Sequence, residues 1–276
     1  MLHADDVGMC HGANVAFSEL SHFGTITSGS VMVPCPWFLE SAAIAASHNH
    51  LDMGVHLTLN AEKTHYKWGP AGHPSRAAGL TDENGHLWRH VRQVREHAHP
   101  DAVEQEWRTQ IEIAIANGID ITHLDTHMGS ALAPEWCDRY INLGVEYQIP
   151  VLMPATLAAY GPNKHLDGVS ETEFGGFVAH ARSVGMPVFD VVPETDFRRD
   201  KGAPMTYAAL IDEAVTPGNL VYCAFHPNAP GEIDAIDPKN GYVRIDEHQL
   251  FQSSEWRNWL TAQPFELVAM RDLPLT

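Results

Sequence analysis

The stretch Leu2-His3-Ala4-Asp5-Asp6-Val7-Gly8-Met9 sets two adjacent carboxylates after a short apolar lead, with a glycine two residues further on. Successive side chains of a strand point to opposite faces, so both carboxylates can serve one pocket only where the strand ends and its pleat breaks down. The stretch therefore reads as a β-strand with Asp5 and Asp6 at its C-terminal end, where α/β proteins keep their chemistry. Asp also suits helix N-caps and tight turns, so the pair alone leaves a capping role open. The rest of the chain has to decide.

Outward from this strand, residues 12–23 carry Val15, Phe17 and Leu20 and stop at Gly24, the pattern of a helix with a glycine end. Residues 25–33, rich in Thr, Ile and Val, read as a strand ended by Pro34 and Pro36. An alanine-rich helix follows over residues 38–47, then a strand over 53–59 with His56 near its exit. Residues 61–100 break the rhythm with Trp68, Gly69, Pro70, Gly72, Pro74, Gly79, Gly85 and Trp88. Such a segment is expected to be an insertion or lid, its aromatics suited to the apolar faces of a sugar or to anchoring a structural loop.

Val103, Trp107, Ile111 and Ile115 then recur every four residues up to Gly118, a helix with one apolar stripe. A strand over 119–123 leads into His123-Leu124-Asp125-Thr126-His127. Further helices are expected over 134–143, 171–184, 204–215 and 247–260, and further strands over 149–153, 187–192, 220–225 and 264–270, with an irregular loop over 159–168. About eight strands separated by helices, with no internal repeat and no linker, predict one domain over residues 1–276. The simplest architecture is a single, irregular (β/α) barrel, with an open doubly wound sheet as the alternative.

Four polar positions fall at expected strand exits: the Asp5-Asp6 pair, His56, His127 and His226. Two imidazoles and a carboxylate from three strands form a half-shell for a divalent ion, leaving positions for water and substrate. Zinc suits the imidazoles better than calcium does, and magnesium with retained waters is the alternative. Two close carboxylates repel unless a cation binds one, which frees the other to act as a base. His123 reads as a neighbour or substrate contact, and Asp125 either faces the pocket or supports a ligand histidine.

Composition bounds the partners. Lys and Arg number 17 against 35 Asp and Glu, a formal net charge of -18, and no basic run offers counterion release to a nucleic acid or an anionic membrane. The four cysteines lack a CxxC pair, which suits a reducing cytoplasm. No apolar run approaches the length of a membrane helix, and no basic-headed signal peptide opens the chain. Gly8 and Gly12 are too few and too widely spaced for a dinucleotide fingerprint, and no G-x-S-x-G elbow is present.

Taken in order, these motifs resemble those of a known family, the YdjC-like or ChbG/HpnK-like carbohydrate deacetylases. Ala4-Asp5-Asp6-Val7-Gly8 is similar to the family's opening Asp-Asp, aromatic, glycine signature, and Thr27-Ser28-Gly29-Ser30-Val31-Met32-Val33 to its Thr-Ser strand. Gly54-Val55-His56-Leu57-Thr58-Leu59 looks like its Gly-x-His-x-x-Leu element, and Thr122-His123-Leu124-Asp125-Thr126-His127 like its Thr-His-x-Asp-Ser-His element. Phe225-His226-Pro227 is similar to its late His-Pro element. The resemblance implies an irregular TIM-like (β/α) barrel with long active-site loops that removes acetyl groups from N-acetylated sugars, often as a homodimer.

By the same resemblance, Asp6, His56 and His127 would hold one divalent metal per subunit, zinc before magnesium, with Asp5 the base and His226 the acid. His3, His123 and Asp125 would support the ligands or touch substrate. Three departures bear on the sugar subsite: His3 stands where the family usually has asparagine, Val7 replaces the aromatic, and Met128-Gly129 replaces a histidine-rich continuation. A hydrolase of another amide bond and a non-catalytic carbohydrate-binding protein are the rival readings. Acetate release separates the first from deacetylation, and binding that survives metal removal marks the second.

Overall fold

The computed structural model describes residues 1–48, 50–160 and 165–275. Strand β1 (Leu2–Val7) leads into α1 (His11–Phe23), β2 (Ser28–Val31), α2 (Phe38–Ser47) and β3 (Met53–Leu57). After the long segment come α3 (Val91–His97), α4 (Pro100–Ala116), β4 (Ile121–Thr126), α5 (Cys137–Tyr147), α6 (Glu171–Ser183) and α7 (Tyr207–Ala214). The chain closes with β5 (Cys223–Phe225), α8 (Ile233–Ile236), α9 (Gly241–Phe251) and α10 (Ser254–Ala262). Among the described residues five strands form one parallel sheet in the order β4-β3-β2-β1-β5, with helices in the crossovers, an α/β fold. Isolated parallel bridges join Leu124 to Val151, Pro154 to Phe189, Val191 to Val221 and Glu194 to Ala224.

The strands are buried on both sides, and their alternation is of polar against apolar residues rather than of solvent against core. Leu2, Ala4, Val31, Met53, Val55, Leu57 and Leu124 belong to the main apolar core. The intervening positions, His3, Ser28, Ser30, His56, His123 and Asp125, are buried too, and all but His123 hydrogen-bond among themselves. Two glycines mark the two faces. A Cβ on Gly29 would fall 2.5 Å from the Phe17 ring of α1, and one on Gly54 would fall 2.5 Å from the His123 ring.

Four expected elements change. Residues 149–153 and 187–192 make isolated bridges instead of full strands. Residues 264–270 form no strand; Val268 offers its carbonyl to the Thr27 hydroxyl, and the chain then turns at Met270–Asp272. Their apolar side chains signal burial, with Met270 packed in a small cluster beside Met1 and Phe189, not ladder pairing. The single helix expected over 247–260 is two helices, because Ser253 leaves the helical region and its hydroxyl accepts from the Trp256 amide as a new N-cap. Of the loop expected over 159–168, residues 161–164 lie outside the described residues.

In the irregular segment after β3 both tryptophans act as anchors. Trp68 Nε1 donates to the Asn60 carbonyl and Trp88 Nε1 to that of Gly79. The segment's first residues, Glu62 and Lys63, line the cavity described next.

Candidate metal centre and catalytic site

At the end of β1 the backbone breaks as its two carboxylates require. Asp6 adopts φ 61°, a left-handed conformation that aspartate tolerates better than most residues, and Gly8 follows at φ 85°. The ladder to β2 shifts register between Ala4 and Val7. Asp5 and Asp6 therefore both reach one cavity of about 430 Å³, shared with Asp125, His127, His226 and Arg244. His56 comes from β3, His127 from the turn closing β4, where Met128 and Gly129 are left-handed, and His226 from the residue after β5.

Asp6, His56 and His127 converge. His127 Nδ1 stands 3.1 Å and His56 Nε2 3.5 Å from the same oxygen, Asp6 Oδ1, yet this buried oxygen accepts no hydrogen bond. The far nitrogen of each ring faces a carboxylate: His56 Nδ1 lies 2.9 Å from Asp125 Oδ1, and His127 Nε2 lies 2.9 Å from Glu62 Oε2. With those far nitrogens protonated, the near ones present lone pairs toward a carboxylate oxygen that is also without a donor. Three electron-pair donors turned on one another fit a divalent cation, and the carboxylate-to-imidazole contacts behind them are the usual support of such a site.

Without a cation, protons have to compensate. Burial lowers the His56 pKa, but the Asp125 charge and the other carboxylates win and hold it well above the ordinary range. His127 is raised in the same way, burial being outweighed by Glu62 and Asp6. Burial would also raise Asp6, but the Arg244 charge and the imidazoles keep its carboxyl well below the usual range. Arg244 Nη1 donates to Asp6 Oδ2 at 2.7 Å, so the two oxygens of Asp6 divide their roles between an internal counter-ion and the converging rings.

Asp5 and His226 face each other across the cavity, His226 Nε2 lying 3.7 Å from Asp5 Oδ2. Burial, reinforced by Asp125 and Asp6, pushes the Asp5 carboxyl well above its ordinary range. Burial, reinforced by the Arg244 charge, holds the His226 imidazole well below its own. A divalent cation beside Asp6 would favour the charged form of Asp5.

The remaining predicted residues lie behind this centre. His3 Nε2 is 3.0 Å from Asp125 Oδ2 and 3.4 Å from Asp5 Oδ1, so it touches both carboxylates. Asp125 Oδ2 also accepts from Ser30 at 2.7 Å and Tyr222 at 2.8 Å. His123 does not reach the cavity; its Nδ1 lies 2.9 Å from Thr122 Oγ1, and its ring packs edge-on to His3. His3, His123 and Asp125 also have ligand-type atoms within 4.8 Å of one another. Both nitrogens of His3 and both oxygens of Asp125 already have hydrogen-bond partners, which makes these two a hydrogen-bonded support.

Sequence reasoning missed Glu62, Arg244, Thr195 and Glu247. Arg244 meets Asp6 across 238 positions of chain, and no local spacing announces it. Ser30 had a signal, since it alternates with Ser28 along one face of its strand.

Comparisons with known proteins show the family and the fold. The model of the YdjC-like protein family matches residues 1–262. A carbohydrate deacetylase of Brevibacillus brevis is 28% identical over 224 residues, 79% of this chain and 84% of that protein. Carbohydrate deacetylase 1 of Listeria innocua is 26% identical over 280 residues, 99% of each chain. Among solved structures, an Enterococcus faecalis protein described as a "putative cellobiose-phosphate cleavage protein" superposes with a TM-score of 0.79 at 21% identity, over 99% of this chain and 97% of that one.

Proposed function

Since the chain belongs to the YdjC-like family, we propose that it is a metal-dependent hydrolase that releases acetate from an N-acetylated amino sugar or short oligosaccharide. The observation that carries this reading is the convergence of His56, His127 and Asp6 on one undonated buried oxygen, with Asp5 and His226 opposed beside it. Asp6, His56 and His127 would hold the ion, and two imidazoles favour zinc over magnesium. Bound there, it would supply Lewis acidity to the acetamide carbonyl and to a water.

The chain's own groups divide the proton transfers. Asp5 takes a proton from the water whose oxygen adds to the acetamide carbon. As the C–N bond breaks, the proton taken by Asp5 passes by way of His226 Nε2 to the nitrogen, so acetate leaves and a free amine remains. Arg244 holds the second oxygen of Asp6, while Asp125 and Glu62 orient the two ligand histidines. Tyr160 and Phe197 add aromatic walls to a cavity of small-molecule size. On this reading the isolated bridges through residues 151–154 and 189–194 complete an irregular barrel of one catalytic unit.

Acetate release from a panel of N-acetylated mono- and oligosaccharides, before and after chelation and with zinc or magnesium restored, tests the proposal. Asp5→Asn should retain metal content and lose about 10²- to 10⁴-fold in turnover, the usual range for a general base. No acetate from metal-loaded protein across the panel would overturn the reading.

A further inference from the structure

His226 is gripped from behind by a buried cluster outside the cation site. Its Nδ1 lies 2.8 Å from Thr195 Oγ1, and the Thr195 hydroxyl donates to Glu247 Oε1 at 2.6 Å. The Tyr207 hydroxyl donates to the same oxygen at 2.6 Å, and the His226 amide donates to Glu247 Oε2 at 2.8 Å. Glu247 is fully buried and Thr195 nearly so.

With Glu247 ionised, hydrogen accounting along this chain has one solution. An ionised carboxylate only accepts, and a hydroxyl has one proton to give. Thr195 gives its proton to Glu247, so it can meet His226 Nδ1 only as an acceptor. Nδ1 must then carry hydrogen. Nε2 is left facing Asp5, with a lone pair in the neutral ring and a second proton in the charged one.

We infer that Thr195 and Glu247 are positioning residues that fix the tautomer and orientation of His226, so that Nε2 alone exchanges protons with the cavity. The consequence for turnover rests on the deacetylase reading, whereas the tautomer is a property of the chain. A fixed Nδ1–H means that the imidazolium can lose a proton only from Nε2, into the cavity, and never relaxes to the unproductive tautomer.

The groups facing Glu247 are the two hydroxyls and the His226 amide, with Arg244 one turn earlier on α9. Those facing the His226 ring are Thr195, Asp5 and the edge-on Phe197 ring. Burial raises Glu247 to about 7, so the experiment is done at about pH 8.5, where the carboxylate is ionised.

The test is nitrogen NMR of ¹⁵N-histidine-labelled protein, with the His226 signals identified from a His226→Gln spectrum, alongside steady-state kinetics. The wild-type ring should be protonated at Nδ1. In Glu247→Gln the amide oxygen stays with the His226 N–H, so the NH₂ group faces Thr195, reverses its hydroxyl and moves the ring proton to Nε2. Thr195→Val should give a mixture of tautomers, and Thr195→Ser should restore the wild-type one.

For the Gln and Val variants kcat should fall about 10- to 100-fold with KM changed less than about 3-fold, the scale of lost support behind a working imidazole. Thr195→Ser should recover most of the rate. A tautomer that shifts as expected in a protein that releases no acetate supports the positioning and sinks the deacetylase reading. An Nε2-protonated wild type, or a tautomer unmoved in both Gln and Val variants, overturns the inference even if acetate is released. Should the Gln variant not fold, the Val and Ser pair decides by the same signals.

Discussion

At the scale of single residues the site is a set of charges that must balance in a dry place. Asp6 and Arg244 are both buried, and their 2.7 Å contact ties α9 to the end of β1. Replacing Arg244 by Met should cost the metal-free protein about 3–5 kcal/mol, because a buried carboxylate loses its partner. Zinc should recover much of that loss by neutralising the same group. Urea unfolding with and without zinc measures both, and a deficit that zinc leaves unchanged would argue against Asp6 as a ligand. Glu247 makes a separate prediction in acid. Its folded pKa of about 7 exceeds the ordinary 4.5, so the stability it contributes is full below about pH 4.5 and is lost as pH rises through about 7. Glu247→Gln should flatten the stability profile across that window; a profile as steep as wild type would mean another group titrates there.

At the scale of elements, the strands bury polar side chains on one face and apolar ones on the other. This is why His3, His56, His123 and Asp125 sit in otherwise apolar runs. Placement of α1, α2, β1 and β3 was legible because glycine stops, proline breaks and apolar spacing are local signals. The boundary between α9 and α10 was not, since apolar spacing runs on across Ser253 and only the backbone reveals the new cap. Ser253→Ala should lower stability by about 0.5–2 kcal/mol, as loss of an N-cap does, with turnover unchanged because α9, not α10, carries Arg244 and Glu247. Thermal melts paired with an acetate assay check both halves.

At the scale of the molecule, the candidate cation site of Asp6, His56 and His127 gathers groups from β1, β3 and the turn after β4, so an ion bound there should hold the sheet together. Zinc at about a thousand times its dissociation constant should add about 4 kcal/mol to native stability. The gain should shrink as pH falls, because ligand imidazoles must give up their protons. His56→Ala should abolish it; a zinc shift that survives that substitution would place the ion elsewhere. No described helix is long and apolar enough to cross a membrane.

The sequence by itself determined the parallel α/β frame and four of the polar positions at its exits. Strand period, glycine stops and short motifs are written in neighbouring residues, and folding only brings their ends together. It also predicted that Asp5 and Asp6 could share a pocket only at a broken pleat, and the left-handed Asp6 shows the break. Tertiary structure alone decided the environment of those groups. Arg244 on Asp6, Glu62 behind His127, and Thr195 with Glu247 behind His226 come from distant segments, and which charge wins depends on burial and on distances of a few ångströms. Pairing between segments far apart in the chain leaves no periodic mark in a single sequence, whereas the carboxylates and imidazoles it serves are local and readable.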